Sequence, residues 1–472
     1  MKIYLMVCIY FTLFLVTYSD EKINTDKSVT LQVALSHGVL INGKKQKIYL
    51  KVSLIGIRKT IDAKRNPINL CIILDKSRSM IGAKLKQVKK SSRMILNLLD
   101  EDDIISFVTY DSRVITLIPA TMGRDKGDLI KLIDGIKGHG STALFAGVSK
   151  GLYEIEKNAS TKYVNRIILL SDGMANVGSV SLKDMGDLGF AAAKNNISIS
   201  TIGIGKGFNE ELMSSLSANS DGSYGFAESP EQIDDLLKNE MKQLISVAGK
   251  RLKIKIECTQ GVKPIKILDR IGTIRKDTIT FSMNQIYNEQ NKYILVELEV
   301  NNPIVIKGYS KLIDVQLNYI LANSDKNSVL RAKAGISWTG IEEVKKRSIN
   351  NNVMEKVVLS MAADQNRMAM LMFNEGNLEK TLENLQFTCG FLIRNNDSIQ
   401  STQIEKLEII TKQIQEDLNK NYSNRSKKAW KAYDNFNKTQ NSLNQEYRYK
   451  QSASQQKIII KKSSKKKKAR TK

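Results

Sequence analysis

The spacing of apolar and polar residues changes along the chain and divides it into three kinds of structure. Residues 28–57 alternate apolar and polar positions in two runs around Asn42-Gly43, which predicts two strands joined by a turn. From Asn69 the apolar positions become continuous, as in strands that are covered on both faces. After about Lys250 the alternation returns, and from about Ile341 the apolar spacing is that of helices.

The central region alternates buried strands with amphipathic helices. The expected strands are 70–74, 104–110, 166–171 and 197–204, together with a short antiparallel edge strand at 113–118. The expected helices are 83–99, 125–136, 143–157, 182–194, 209–219 and 230–246. This alternation predicts an α/β fold, a doubly wound and mostly parallel sheet with helices on both faces.

The flanking regions predict a second domain. Alternating strands are expected at 252–256, 278–282, 293–300 and 313–319. Because two strands alone are only marginally stable, those within 28–57 should pair with this later group. The α/β domain of residues 67–248 would then be inserted into a β-rich domain composed of residues 20–66 and 250–340.

The last part of the chain is predicted to be helical and then disordered. A helical region is expected at 341–445, in which Gly376-Asn377 separates helices at 353–373 and 378–392. The final 446–472 is a basic segment without periodic apolar positions, so we expect a disordered tail.

The first nineteen residues have the pattern of a signal peptide. Lys2 precedes the apolar run Ile3–Val16, which is shorter than the roughly 20 residues needed to span a bilayer. Thr17 and Ser19 are small residues at the −3 and −1 positions of a cleavage site. We therefore expect a mature chain that begins at Asp20 and is exported to the periplasm, cell envelope or extracellular space. An uncleaved membrane anchor is the alternative.

The composition limits the classes of partner and site. The net charge of +25 favours anionic partners such as acidic protein faces, lipid headgroups, envelope polymers or nucleic acid. For the basic tail, export favours acidic lipid or envelope polymer over nucleic acid. Two His and four Cys argue against zinc fingers and disulfide-stapled scaffolds. Cys71 is expected to be buried, and a bond between Cys258 and Cys389 is left open.

Polar loops follow the buried strands at the edge where a doubly wound sheet binds ligands. Asp75-Lys76-Ser77-Arg78-Ser79 follows the first strand, Asp172-Gly173 follows the strand at 166–171, and the glycine-rich Gly138–Thr142 lies between them. These loops offer two carboxylates and three hydroxyl groups. Such hard oxygen ligands suit Mg²⁺, Mn²⁺ or Ca²⁺ and are poor for zinc.

With these loops the sequence resembles the von Willebrand factor type A family, in the form that bacterial exported proteins carry between β-rich segments. The matching stretches are Ile72–Lys84, Asp102–Tyr110, Gly140–Gly147 and Ile167–Gly178, within about 67–248. The resemblance implies a metal-ion-dependent adhesion site that holds a divalent cation, with Mg²⁺ as the expected ion and a partner's acidic residue completing its coordination. The implied metal ligands are Asp75, Ser77, Ser79, Thr142 and Asp172.

Several residues near this site have two readings. Arg78 stands where many relatives have Gly, and Lys76 adds a second cation. Both charges would weaken binding of a divalent ion by repulsion; we favour the alternative that both point to solvent. Asp75 alone would be read as a cap of the following turn. His139 is expected to be an exposed loop residue rather than a ligand.

We expect a non-catalytic, metal-dependent protein-binding module for adhesion or assembly. Ser171 lacks a nucleophile elbow and a histidine partner, and a phosphate-binding loop is missing from the sequence. One alternative is a non-catalytic subunit of an ATPase-driven metal-insertion or complex-assembly machine, against which the export signal argues. A cytosolic nucleic-acid binder that uses the basic tail is a further alternative, although we expect no nucleic acid as partner.

Overall fold

The structure, a computed structural model, describes residues 22–25, 28–57, 65–124, 126–205, 207–268, 272–301, 308–322, 324 and 326–420. The predicted signal peptide at 1–19 and the predicted basic tail at 446–472 lie outside these residues. Across the part that is described, we find no helix with the length and apolarity needed to cross a bilayer.

Four described strands precede the central region, and the two longest of them pair with each other. They are β1 (Lys22–Thr25), β2 (Val29–Leu35), β3 (Val39–Ile41) and β4 (Gln46–Gly56). Strands β2 and β4 pair antiparallel, whereas β3 belongs to a different sheet. The pairing of β2 with β4 confirms the two strands predicted around Asn42-Gly43, although the turn, with Gly43 at a φ of +70°, directly connects β3 to β4.

The central residues form the predicted α/β fold. Its strands are β5 (Ile68–Asp75), β6 (Ile104–Tyr110), β7 (Val114–Met122), β8 (Val164–Ser171), β9 (Ile197–Ile204) and β10 (Tyr224–Ala227). Its helices are α1 (Ala83–Leu98), α2 (Lys126–Asp134), α3 (Leu144–Glu156), α4 (Leu182–Lys194), α5 (Glu210–Asn219) and α6 (Gln232–Ile245). The sheet order is β10-β9-β8-β5-β6-β7, and β7 is the antiparallel edge strand that the sequence predicts.

Helices cover both faces of this sheet, which explains the continuous apolar runs. Every residue of β5, β6, β8 and β9 is buried. One core lies between the sheet and α1, α2 and α6, and the other between the sheet and α3, α4 and α5. The strand order reverses at β5, which lies between β8 and β6, so the carboxyl ends of β5 and β8 flank the crevice where such sheets bind ligands.

The flanking strands form a two-sheet β-domain around the insertion. The later strands are β11 (Val247–Cys258), β12 (Val262–Ile267), β13 (Thr273–Arg275), β14 (Thr278–Tyr287), β15 (Asn291–Val300), β16 (Tyr309–Leu321) and β17 (Asn327–Thr339). The sheets have the orders β1-β2-β4-β15-β12 and β13-β14-β11-β16-β17-β3 and share one apolar core. Strand β4 pairs antiparallel with β15, which confirms the pairing of 28–57 with strands after residue 250.

A helical region follows the second sheet. It contains α7 (Glu342–Arg347), α8 (Asn351–Asn374), α9 (Leu378–Ile399) and α10 (Thr402–Lys420). The break between α8 and α9 falls where the sequence predicts it: Gly376 has a φ of +82°, and the Asn377 side chain accepts a hydrogen bond from Lys380 N. Among the described residues Cys71, Cys258 and Cys389 are free thiols, so Cys258 and Cys389 do not pair.

Candidate metal centre

Asp75 ends β5 at the crevice, and both oxygens of its carboxylate are held by nearby groups. Oδ1 accepts a hydrogen bond from Ser77 N at 2.8 Å, and Oδ2 accepts one from Ser171 Oγ at 2.7 Å. Ser77 then begins a single 3-10 turn at Arg78–Met80. The bond from Ser77 N is the kind expected if Asp75 only capped the following turn. The bond from Ser171 Oγ directs the carboxylate toward the end of β8.

Asp172 follows β8 and joins the first loop through its serines. Ser79 Oγ donates to Asp172 Oδ1 at 2.7 Å, and Ser77 Oγ lies 3.1 Å from Ser79 Oγ. Both Asp75 and Asp172 are fully buried. The loops after two neighbouring strands therefore bring two carboxylates and two hydroxyl groups into one hydrogen-bonded cluster.

Thr142 comes to the same place from the glycine-rich loop. A Cβ at Gly173 would lie 2.7 Å from Thr142 Oγ1 and 3.2 Å from Asp75 Oδ2, so the absence of a side chain at Gly173 gives both groups their room. The Asn176 side chain accepts a hydrogen bond from Thr142 N at 2.9 Å, and Asn176 N donates to Thr142 O at 3.2 Å. All five residues of the predicted ligand set thus lie together.

Of the three basic side chains that the sequence places beside this cluster, only Lys76 is placed differently from the prediction. Lys76 is buried and forms an ion pair with Asp111, so the interpretation that it points to solvent is wrong. Burial raises the pKa of Asp111, but the hydrogen bonds from the Lys76 ammonium and Arg113 N, together with the charge of Lys76, outweigh burial and lower that pKa. His139, an exposed loop residue, places Nδ1 2.7 Å from Asp111 Oδ2. Arg78 is exposed.

Lys84 is a cation near the cluster that sequence reasoning missed. It lies in the first turn of α1, and its ammonium forms an ion pair with Asp172 Oδ2 while also approaching Ser79 O at 3.4 Å. The sequence places Lys84 among the other lysines of an amphipathic helix, and only the close approach of α1 to the end of β8 identifies its partner. Ser171 and Asn176 were also missed as supports of the carboxylate and threonine.

The electrostatics of the cluster favour a bound cation. Burial raises the pKa of Asp75, the negative charge of Asp172 raises it further, and the hydrogen bonds from Ser77 and Ser171 offset only part of this. In the described part of the chain, no group of three or more His, Cys, Asp or Glu is placed to hold a metal. Two carboxylates with three hydroxyl groups are a hard-oxygen donor set, which fits Mg²⁺ and its neighbours better than zinc.

A family model for the von Willebrand factor type A domain matches residues 69–239. These residues form a von Willebrand factor type A domain. Domains of this family commonly mediate protein–protein interactions and typically bind a divalent cation. The matched range contains all five residues of the cluster, and the β-rich and helical segments lie outside it.

Solved structures share the fold of most of the chain around the von Willebrand factor type A domain. A von Willebrand factor type A protein from Catenulispora acidiphila has a TM-score of 0.68 at 13% identity, over 89% of this chain and 99% of that one. The ArnB paralog VWA2 from Sulfolobus acidocaldarius has a TM-score of 0.57 at 18% identity, over 83% and 96%. At these sequence identities the likeness shows a shared fold and nothing more.

Curated relatives of the von Willebrand factor type A domain include two uncharacterized bacterial proteins. One, from Synechocystis, is 24% identical over 54% of this chain and 62% of its own length; YfbK from Escherichia coli is 29% identical over 45% and 37%. Mouse inter-alpha-trypsin inhibitor heavy chain H2 is 28% identical over 33% of this chain and 17% of its length. The chain therefore spans less than two thirds of these relatives.

Proposed function

We propose that this chain is a non-catalytic, metal-dependent protein-binding module that acts in adhesion or assembly at the cell envelope. The observation that supports this most is the meeting of two buried carboxylates and three hydroxyl groups at the crevice of the sheet. The residues that would hold a divalent cation, with Mg²⁺ as the proposed ion, are Asp75, Ser77, Ser79, Thr142 and Asp172. A bound dication would supply a positive centre that attracts an acidic residue of a protein partner.

The chain's own residues orient the site for this task. Ser171 fixes the carboxylate of Asp75, and Ser79 fixes that of Asp172, each through a hydroxyl hydrogen bond of 2.7 Å. The two carboxylates would balance the overall charge of one dication. A partner's carboxylate that reached the ion directly would still be attracted to it, because that carboxylate would lie closer to the ion than to Asp75 and Asp172. The burial of both carboxylates strengthens this attraction, because water screens it less.

The surroundings of Ser171 favour binding over catalysis. Its hydroxyl donates to Asp75 Oδ2, whereas a serine nucleophile requires a base that accepts its proton, usually a histidine. His139 lies against Asp111, and His37 lies at the end of β2 in the β-domain. Export is proposed from the pattern of residues 1–19, and the basic tail is proposed to contact acidic lipid or envelope polymer.

Calorimetric titration with Mg²⁺ and Mn²⁺ tests the metal centre. We expect Asp75→Ala and Asp172→Ala each to abolish binding of the ion, because one carboxylate near several cations holds it weakly. Asp187→Ala is the matched control, since Asp187 is an exposed aspartate of α4 that pairs with Lys183. Circular dichroism checks that the variants are folded. If Asp75→Ala titrated like wild type, the metal-centre proposal would be wrong.

The protein-binding part is tested by capture with the immobilised chain in Mg²⁺ or in chelator. We expect a partner that is retained in Mg²⁺, released by chelator and not retained by Asp172→Ala. A partner bound equally well under both conditions would contradict metal dependence while leaving a protein-binding function in place.

A further inference from the structure

Exposed apolar side chains stand in the two loops that carry the carboxylates of the candidate metal centre. Ile81 and Met174 are each 56% exposed, although large apolar side chains are usually buried. Val177, in the same segment after β8 as Met174, is 37% exposed. We name Ile81, Met174 and Val177 together the apolar rim.

Two members of the rim lie against the loop that carries Thr142. A Cβ at Gly138 would lie 2.7 Å from Ile81 Cγ1, so Ile81 packs over the start of the glycine-rich loop. Val177 N donates to Thr142 O at 3.3 Å. Ile81 and Val177 therefore approach this loop from the two different segments that follow β5 and β8.

Met174 is next in the chain to a residue that lies against the cluster. It directly follows Gly173, whose backbone lies against Thr142 Oγ1 and Asp75 Oδ2. The exposed guanidinium of Arg78 stands on the first loop, between the two serines of the cluster. The surface at this edge of the sheet thus combines a polar, cation-binding centre with apolar and cationic side chains beside it.

We propose that the apolar rim binds apolar side chains that flank the acidic residue of the partner, so that the recognised segment has an apolar–acidic–apolar pattern. This inference rests on the proposed function, because the acidic residue is placed by the metal centre. Positive charge at the centre selects the carboxylate. Exposed apolar patches of this kind mark interaction sites. Two flanking leucines buried against the rim should tighten binding about tenfold or more.

Synthetic peptides test the proposal without a known partner. The probes are acetylated, amidated pentapeptides of sequence Gly-Leu-Asp-Leu-Gly, Gly-Ser-Asp-Ser-Gly and Gly-Leu-Asn-Leu-Gly, titrated in Mg²⁺ and in chelator by NMR. We expect the leucine–aspartate peptide to bind about tenfold tighter than the serine–aspartate peptide, and both to lose binding in chelator. The asparagine peptide should bind weakest in Mg²⁺.

Variants locate the effect on the surface. Ile81→Ser and Met174→Ser should each reduce the advantage of the leucine peptide severalfold while leaving the Mg²⁺ titration unchanged. Matched controls are Ile245→Ser and Met122→Ser, which replace residues that are 45% and 40% exposed. Met122 pairs with Ile104 at the amino end of β6, and Ile245 ends α6, so both lie at the opposite edge of the sheet.

The outcomes separate this inference from the proposed function. Equal affinity for the leucine and serine peptides, with both lost in chelator, overturns the inference and leaves the metal-dependent function standing. Peptide binding that is equally strong in Mg²⁺ and in chelator contradicts the proposed function itself. The inference also fails if the control variants weaken the leucine peptide as much as the rim variants do, or if the leucine peptide does not bind in Mg²⁺ at its highest soluble concentration.

Discussion

Lys84 gives Asp172 a cationic partner from within the chain. Its ammonium pairs with Asp172 Oδ2, the carboxylate oxygen that is not bonded to Ser79. An ammonium and a dication held by the same carboxylate repel each other, and the partly buried setting screens this repulsion less than water would. Lys84 should therefore compete with a divalent ion and lower the affinity of the site.

We predict that Lys84→Met raises the affinity for Mg²⁺ on the order of tenfold at low salt, because it removes this competing charge. Isothermal titration of the ion alone provides the measurement. Lys86→Met is the matched control, since Lys86 is an exposed lysine of the same helix. An unchanged or weaker affinity in Lys84→Met would mean that the ammonium helps to hold the ion or turns away when the ion binds.

Lys76 and Asp111 form the buried ion pair beside the first loop. Removing one member of such a pair leaves a buried charge without compensation. We predict that Asp111→Asn lowers the free energy of unfolding by about 3–5 kcal/mol, as measured by urea denaturation. The double variant Asp111→Asn with Lys76→Met should recover much of the loss. A change under about 1 kcal/mol in Asp111→Asn, the range of exposed ion pairs, would show that water reaches Lys76.

At the scale of elements, the end of β2 is bonded to the segment between α7 and α8. Gly38 N donates to Ser348 O at 3.0 Å, Asn350 N donates to Ser36 O at 2.9 Å, and His37 bridges to Ile349. Burial, reinforced by the charge of Lys345, lowers the pKa of His37 to about 4. A protonated His37 is therefore disfavoured where the helical region joins the β-domain.

This lowered pKa makes stability depend on pH in a defined direction. The His37 side chain binds a proton at about pH 6.5 in the unfolded chain but only near pH 4 in the folded chain. Its contribution to stability is therefore complete above about pH 6.5 and is lost as the pH falls from 6.5 toward 4. We predict that His37→Gln removes up to about 3 kcal/mol of the acid-induced loss in unfolding free energy. His139→Gln is the control, as the other histidine of the chain; equal pH profiles for wild type and His37→Gln would contradict the prediction.

The elements that the sequence predicts well are those with continuous apolar runs or a clear stripe. Strand β5 and helix α1 appear where expected, because complete burial leaves an unambiguous pattern. The strands it misses have weaker signals. Strand β17 fills its inward positions with Ala332 and Ala334, strand β12 contains Pro264, and β10 has only four residues.

The candidate site divides in a similar way between what sequence can and cannot predict. Four of the five oxygen-bearing residues stand at or just after the ends of β5 and β8, so topology alone brings them together, and the glycine-rich loop between α2 and α3 adds Thr142. Asp172 meets Lys84 because α1 comes close to the end of β8, and Lys76 meets Asp111 because the loops after β5 and β6 come close to each other. A pattern of residue types does not encode these distances. Lys84 and Asp111 are therefore recognised as partners only in the three-dimensional structure.

At the scale of the whole molecule, a buried polar network joins the inserted domain to the β-domain. Arg166 of β8 is fully buried, donates to Ser200 Oγ at 2.8 Å within the inserted domain, and donates to Gln285 Oε1 at 3.2 Å in β14. Asn284 N donates to Asp221 Oδ2 at 2.7 Å across the same boundary. This network lies at the amino ends of the parallel strands, opposite the candidate metal centre.

The contacts of Arg166 predict that the two domains unfold together. A buried polar group that is left without a partner destabilises the folded chain by more than its hydrogen bond stabilised it. Removing this guanidinium should therefore weaken the whole boundary between the two domains. Arg166 also lies 3.9 Å from the buried carboxylate of Glu240, which would lose its charge partner. We predict that Arg166→Met destabilises the chain by about 3–5 kcal/mol and divides a single calorimetric transition into two. Arg93→Met is the control, because Arg93 pairs with Asp134 on the surface, where ion pairs contribute little. If Arg166→Met kept one transition at the wild-type temperature, the extensive pairing of β4 with β15 and the direct passage from α6 into β11 would suffice to hold the domains together.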